Sequence, residues 1–203
     1  MRKIIISMLF IFVLWSAGCM ATLPQTGGSI AWPEQLAAAT RVAHAVNSDA
    51  TLLDIQATTD YFGPKGSLRI RFLFVQSSGG LIEVIANDIR REASIENSGG
   101  SITKTPNQAE RTRLDAALAG VDISPALALA AARPAGEAFI HRFPTAIFGS
   151  VELNRTTTLY VRYGTAAAWS VSYATATDSI YIWIDATTGA LLGTTNEPLV
   201  EHS

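Results

Sequence analysis

The sequence predicts an α+β protein made of two tandem small units, each a helix packed on a three- to four-stranded antiparallel sheet. Three observations lead there. Hydrophobic residues are 48% of the 203 and charged residues 16%, a balance that builds a core and does not suit wholesale disorder. Runs of strict alternation mark strands: Trp169, Val171 and Tyr173 alternate with Ser170, Ser172 and Ala174, and Ile180, Ile182 and Ile184 with Tyr181, Trp183 and Asp185. Successive strand side chains point to opposite faces, so each run carries an apolar side. The stretch from Trp169 to Gly193 reads as a β-hairpin closed by an Asp-Ala-Thr-Thr-Gly turn. The third observation is the order of elements, a helix followed by antiparallel strands, which occurs over 32–97 and again over 121–195. Units of this length fall within the range of small domains.

The N-terminal residues read as an address. Arg2 and Lys3 precede an apolar run from Ile4 to Trp15, too short to span a bilayer and about the length of a signal-peptide core. Ser16, Ala17 and Gly18 then lead to Cys19, the single cysteine of the chain. Small residues before a lone cysteine resemble the lipobox of bacterial lipoproteins, with Ser16 where that pattern usually has Leu. The resemblance implies a signal peptide over 1–18, cleavage after Gly18 and thioether diacylation of Cys19, hence a palmitate-type anchor. Two acyl chains hold a protein stably where one is marginal. Residues 19–31 are small, polar and Gly/Pro-bearing, and read as a lipidated tether. One cysteine excludes an intramolecular disulfide and a thiolate metal cluster.

In the first unit, 32–97, Pro33 suits the first helical position, and Leu36, Ala39, Ala43 and Val46 share one helical face. His44 lies beside that face with no second ligand at i±3 or i±4. Asn47 and Ser48 end the helix. Leu53, Ile55 and Ala57 alternate with Asp54, Gln56 and Thr58 as a strand; Phe62 to Gly66 is a turn. Leu68, Ile70, Phe72 and Phe74 make a second strand, Ser77 to Gly80 a hairpin loop, and Leu81 to Ala86 a third strand before an Asn87-Asp88 turn. Arg69, Arg71, Arg90 and Arg91 read as a solvated sheet face paired with Glu83 and Glu92, in preference to a small basic patch.

Ser98 to Ser101 separates the units. In the linker, 98–120, Thr105, Pro106 and Gln108 form a capping-box pattern for a short helix. Its stripe is Leu114, Ala117 and Leu118, and Gly120 is its C-terminal cap. The second unit opens with Ser124-Pro125, a cap followed by proline. Ala126 to Arg133 is helical, Pro134 is expected to break or kink it, and Ala135 to Arg142 to form a further turn or two. Ile147 to Leu153, Leu159 to Tyr163, Trp169 to Tyr173 and Ile180 to Ile184 are four strand candidates, and 196–203 is a tail.

The second unit resembles a PepSY domain. Asp122-Ile-Ser-Pro-Ala-Leu-Ala-Leu-Ala at the helix start, Trp169-Ser-Val-Ser-Tyr on a strand and Ile182-Trp-Ile-Asp-Ala-Thr-Thr-Gly-Ala-Leu-Leu at the end carry the likeness. The first unit matches in layout, with Ala86-Asn-Asp-Ile-Arg where Asp-Ala-Thr-Thr-Gly would stand. Independently of any family, Asp185 can accept from the N–H groups of Thr187 and Thr188 in an Asx-turn, and Gly189 supplies the positive φ that ends it.

An enzyme needs a nucleophile with a base, paired carboxylates or a ligand cluster. His44, His141 and His202 are isolated, Cys19 is committed to lipid, and no Gly-rich phosphate loop, HExxH or GxSxG occurs. The expectation is therefore a non-enzymatic module with no catalytic residue, metal or cofactor. A net charge of −2, about −4 without Arg2 and Lys3, gives no basic face for nucleic acid. The partners expected are the membrane, through lipid on Cys19, and an extracytoplasmic protein of the cell membrane or outer membrane. The PepSY resemblance implies a peptidase-inhibiting or peptidase-regulating role. Tyr160, Tyr163, Trp169, Tyr181 and Trp183 are candidates for an aromatic contact surface, with ordinary core and cross-strand packing the favoured alternative. The alternatives are a small-ligand or lipid carrier, with Ala128, Ala130 to Ala132 and Ala166 to Ala168 leaving room under the helices, and a purely structural envelope component.

Overall fold

Helix and sheet alternate as the pattern foretells, but the strands all join one sheet. The computed structural model describes residues 31–61, 66–87, 93–101 and 105–199. The leader, Cys19, the tether up to residue 30, the turn residues 62–65, Asp88, Arg90, Arg91, Glu92 and His202 lie outside the described residues. Within them, α1 (Trp32–Val46) is followed by β1 (Thr51–Thr59), β2 (Leu68–Val75), β3 (Leu81–Asn87) and β4 (Ala93–Asn97). Next come α2 (Gln108–Leu118), α3 (Pro125–Arg142), β5 (Ile147–Asn154), α4 (Thr157–Tyr163), β6 (Ala168–Ala174), β7 (Ser179–Asp185) and β8 (Leu191–Thr195). The sheet order is β4-β3-β2-β1-β5-β6-β7-β8, with every pairing antiparallel. Two four-stranded meanders thus meet where Gln56 and Ala57 of β1 pair with Glu152 and Val151 of β5.

The two halves share a core. Ile55, Leu68, Ile70, Phe72, Phe74, Ile82 and Val84 are buried from the first half, and Val151, Trp169, Val171, Tyr173, Ile182 and Ile184 from the second, all in one apolar cluster. Trp32, at the start of α1, stacks on Phe72 with ring centroids 6.0 Å apart. It also meets Trp169 edge-on. The two tandem units read from the sequence, which left open whether they pack as one body, join in one sheet and one core. The physical reason is that β1 and β5 each have a free edge that the other satisfies.

Local chemistry accounts for most element boundaries. Pro33 lies in the first turn of α1, and the Asn47 N–H caps the other end on Ala43 O. Ser124 Oγ accepts from the Leu127 N–H, 3.1 Å, to start α3. Helix α2 begins later than expected: its capping box is Asn107 with Glu110, not Thr105 with Gln108. Asn107 Oδ1 accepts from the Glu110 N–H while Glu110 accepts from the Asn107 N–H.

Three strand and helix expectations are corrected. The α3 helix runs through Pro134. Pro134 and Ala130 are both exposed, so the Ala130 carbonyl that loses its donor faces water. Leu159 to Tyr163 is helical: Leu159 and Tyr163, four apart, both reach Trp183, and Gly164 at φ 73° caps the short helix. In β1 a bulge at Leu53 turns Leu52 inward in place of Leu53, while Ile55 and Ala57 remain inward. Strands β4 and β8 carried no sequence signal read above; the 185–189 turn links β7 to β8, and 175–178 closes the β6–β7 hairpin.

Candidate functional site

Helices α1 and α3 cover one face of the sheet. On the other, a row of side chains crosses six strands by direct pairing: Ile85, Arg71, Gln56, Glu152, Ser170 and Trp183. At the β7 end this face is closed, because α4 lays Leu159 and Tyr163 on Trp183, with Tyr181, Leu192 and Leu199 around it. Toward β2 and β3 it stays open. There a cleft of about 360 Å³ is lined by Gln56, Thr58, Arg69, Arg71, Glu83, Ile85 and Glu96.

The cleft is mixed in charge. Arg69 pairs with Glu96. Arg71 lies between two carboxylates, its Nη2 3.5 Å from Asp54 Oδ2 and its Nε 3.9 Å from Glu83 Oε1. Both distances exceed the 2.7–2.9 Å typical of a charge-assisted hydrogen bond, and Arg71 Nε is buried with no hydrogen-bond partner. Beside it, Glu152 Oε1 accepts from Gln56 Nε2 at 2.7 Å and from Ser150 Oγ at 2.8 Å. Burial pushes the Asp54 carboxyl above its ordinary range; Arg71 opposes this and the neighbouring Glu152 adds to it.

The Asp185 turn has a different role. Asp185 Oδ1 accepts from the N–H groups of Thr187 and Thr188, at 3.0 and 2.7 Å, and from the Thr188 hydroxyl at 2.9 Å. Gly189 follows at φ 74°. The turn also grips the start of α3: Asp122 and Ile123 donate to Ala186 O, Thr187 Oγ1 donates to Gly120 O, and Trp169 Nε1 donates to Ile123 O. Desolvation pushes the Asp185 carboxyl up, but the hydrogen bonds from Thr188, Thr165 and Thr187 outweigh it and hold it below its ordinary range. Asp185, Thr187, Thr188 and Gly189 thus form a structural latch between β7 and the second unit's helix.

The aromatic surface is corrected by burial. Trp169 and Trp183 are fully buried, Tyr163 and Tyr181 are half-buried, and Tyr160 is 66% exposed. The two tryptophans are core residues because each sits under a helix, Trp169 beneath α1 and Trp183 beneath α4. The alanines expected to leave room are spent on close approach. Ala128, Ala132, Ala167 and Ala168 are buried, Ala130, Ala131 and Ala166 are exposed, and a Cβ on Gly136 would meet the Tyr173 ring at 2.6 Å. His44 Nε2 donates to Ala50 O, 2.9 Å, and His141 lies exposed on α3. Among the described residues no group of three or more His, Cys, Asp or Glu is placed to hold a metal ion. No helix of the described residues is long and apolar enough to cross a membrane.

Sequence reading put Arg69, Arg71 and Glu83 on one solvated face but missed Asp54, Gln56, Glu96 and Glu152 as their neighbours. Alternation puts all of these on polar faces of their strands. Only the β1–β5 pairing and the β4 bulge bring them together.

No family model matches the chain, and no curated protein is significantly similar to it. Among solved structures, it resembles a putative lipoprotein from Clostridium difficile 630, with a TM-score of 0.51 and 10% identity. The match covers 87% of this chain and 99% of that one. The likeness is one of fold. It spans both meanders, so the single α+β body with its antiparallel sheet is an architecture that another chain adopts.

Proposed function

We propose that this chain is a lipid-anchored extracytoplasmic protein of the cell envelope that works by binding rather than by chemistry, and that it regulates a peptidase or another envelope protein. The pattern from Arg2 to Cys19 supports the anchor. The fold shared with a putative lipoprotein is consistent with it. The observation that carries the binding reading is the half-open sheet face. Helices close one side of the sheet and α4 closes part of the other, leaving the charged cleft around Arg71 facing solvent. Such a face needs no catalytic group to act; it offers paired charges and strand-spaced side chains to a partner.

The test has two arms. Cys19→Ala should move the chain from the membrane to the soluble fraction and remove the acyl mass. The full chain, immobilised in mild detergent, should retain an envelope peptidase and change its turnover of a protein substrate, and Arg71→Ala should weaken both. Retention and turnover that ignore Arg71→Ala and Glu83→Ala would sink the reading. Trp169→Ala and Trp183→Ala are unsuitable probes, since both residues are buried.

A further inference from the structure

We propose that the end of the sheet where α1 begins rests on the bilayer that holds the lipid anchor, through an apolar tip of Tyr61, Phe143, Pro144 and Ile147, with the strands upright on the membrane. This rests on the reading of the chain as anchored through Cys19 and adds which surface meets the lipid.

Position comes first. Helix α1 runs from one end of the sheet to the other. Near its start Gln35 Nε2 donates to the carbonyl of Asn87, the last residue of β3, at 2.7 Å. Near its finish His44 bonds the carbonyl of Ala50, just before β1. Asn87 pairs with Arg69 and Arg69 with Thr58, so β1 finishes at the Asn87 end. Tyr61 follows β1 there by two residues, and the antiparallel β5 opens there with Ile147. Helix α3 also finishes there, where Phe143 O accepts from the Ala146 N–H just before β5.

The tether decides which end faces the lipid. Residues 20 to 31, twelve in number, separate Cys19 from Trp32. Twelve residues reach about 40 Å when fully extended, but an unstretched chain of that length spans about 20 Å. The nine residues of β1 alone cover about 30 Å. Bringing the far end of the sheet to the bilayer therefore needs a taut tether, and bringing the near end does not. Tyr160 and Val161 on α4 and Leu191 at the start of β8 are exposed apolar residues too, but they lie at the far end.

The chemistry of the tip suits an interface. Tyr61 is 86% exposed and Ile147 66%; Pro144 is exposed and Phe143 half-buried. Tyrosine keeps its ring in the apolar layer and its hydroxyl in water. Phe143 meets Phe139 with ring centroids 4.8 Å apart, and the exposed Arg142 guanidinium lies 5.1 Å over the Phe143 ring. That pairs an apolar body with a cation for lipid phosphate. Glu34 on α1 and Asp178 in the β6–β7 hairpin are exposed at the same end, which keeps the contact to a small tip.

Collision of a spin label with reagents in water and in lipid tests this. The full lipidated chain, in vesicles of phosphatidylethanolamine with a minority of phosphatidylglycerol, carries one introduced cysteine at a time: Tyr61→Cys, Ile147→Cys or Val161→Cys. Cys19 is the single native cysteine and is spent on lipid, so each new thiol takes the nitroxide alone. Labels at 61 and 147 should be shielded from a water-soluble nickel complex and open to oxygen, and the label at 161 the reverse. With the label at 61, Ile147→Asp should lower the docked population about tenfold or more, and Val161→Asp should leave it unchanged. Every altered side chain is exposed, so the fold does not depend on it. Labels at 61 and 147 as open to nickel as the label at 161, or the label at 161 shielded in their place, would overturn the proposal. The acyl mass on Cys19 is read on the same sample. With it present and the labels open, the docking falls and the anchor stands; without it, both fall.

Discussion

Trp32 and Trp169 meet edge to face, with ring centroids 5.6 Å apart and planes at 78°. One ring comes from the first helix and the other from the second meander, and both are buried. Edge-to-face pairs add to the energy of burial itself. Because Trp32 also stacks on Phe72, one indole joins both halves of the sheet.

The two halves should therefore unfold together. Denaturant titration followed by tryptophan fluorescence and by far-ultraviolet circular dichroism should give one coincident transition. Trp32→Ala should lower its stability by about 3–5 kcal/mol. Two separated transitions would show that the halves are independent.

Arg155 welds the same junction through its side chain. It is 5% exposed, and its guanidinium donates to the carbonyls of Leu52 at 3.1 Å, Leu53 at 2.7 Å and Leu114 at 3.1 Å. Two of these acceptors, Leu52 and Leu53, lie at the β1 bulge. Burial lowers its pKa to about 10, with Asp54 and Asp115 opposing. Arg155→Met should leave those carbonyls unsatisfied and cost about 3–5 kcal/mol, read as a fall in thermal midpoint. Arg155→Lys should recover only part, because an ammonium lacks the planar fork that reaches separate acceptors.

Gly136 lets α3 approach the sheet. An added Cβ would lie 2.6–2.8 Å from the Tyr173 ring, which Phe148 holds from its side. Gly136→Ala gains helix propensity, about 1 kcal/mol, but overpacks a buried ring. The net should be destabilising by about 1–2 kcal/mol, checked by denaturant midpoint. A stabilised variant would show that Tyr173 can move aside.

Two aspartates should give opposite pH dependence. Asp54 has a raised folded pKa, so the folded state binds more protons than the unfolded one between 3.8 and that value. Its contribution is lost as pH rises through the window, and Asp54→Asn should flatten that fall. Asp185 has a lowered folded pKa, so its contribution is present above 3.8 and is lost as pH falls through the folded value. Asp185→Asn should remove the acid-side loss and destabilise the chain near neutrality. Stability measured from pH 2 to 7 on both variants separates them; equal slopes would refute the assignment.

What was legible in the sequence was local. Alternation located β2, β3, β5, β6 and β7, because a half-buried strand must segregate its side chains. Ser124-Pro125 and the Asp185 turn were readable because cap and Asx chemistry depends on neighbours in sequence. Pro134 does not break α3, and the segment from Leu159 to Tyr163 was misread as a strand, because packing on Trp183 outweighed local preference there. The bulge at Leu53 was invisible, since the side chain that binds the carbonyls there, Arg155, stands a hundred residues away. The tertiary structure alone decided that two meanders join at β1 and β5, that Trp169 and Trp183 are core rather than surface, and that Arg71 stands in an open cleft. Each of these depends on which strand lies beside which. Strand edges and covering helices settle that by mutual burial, and no single segment carries the information.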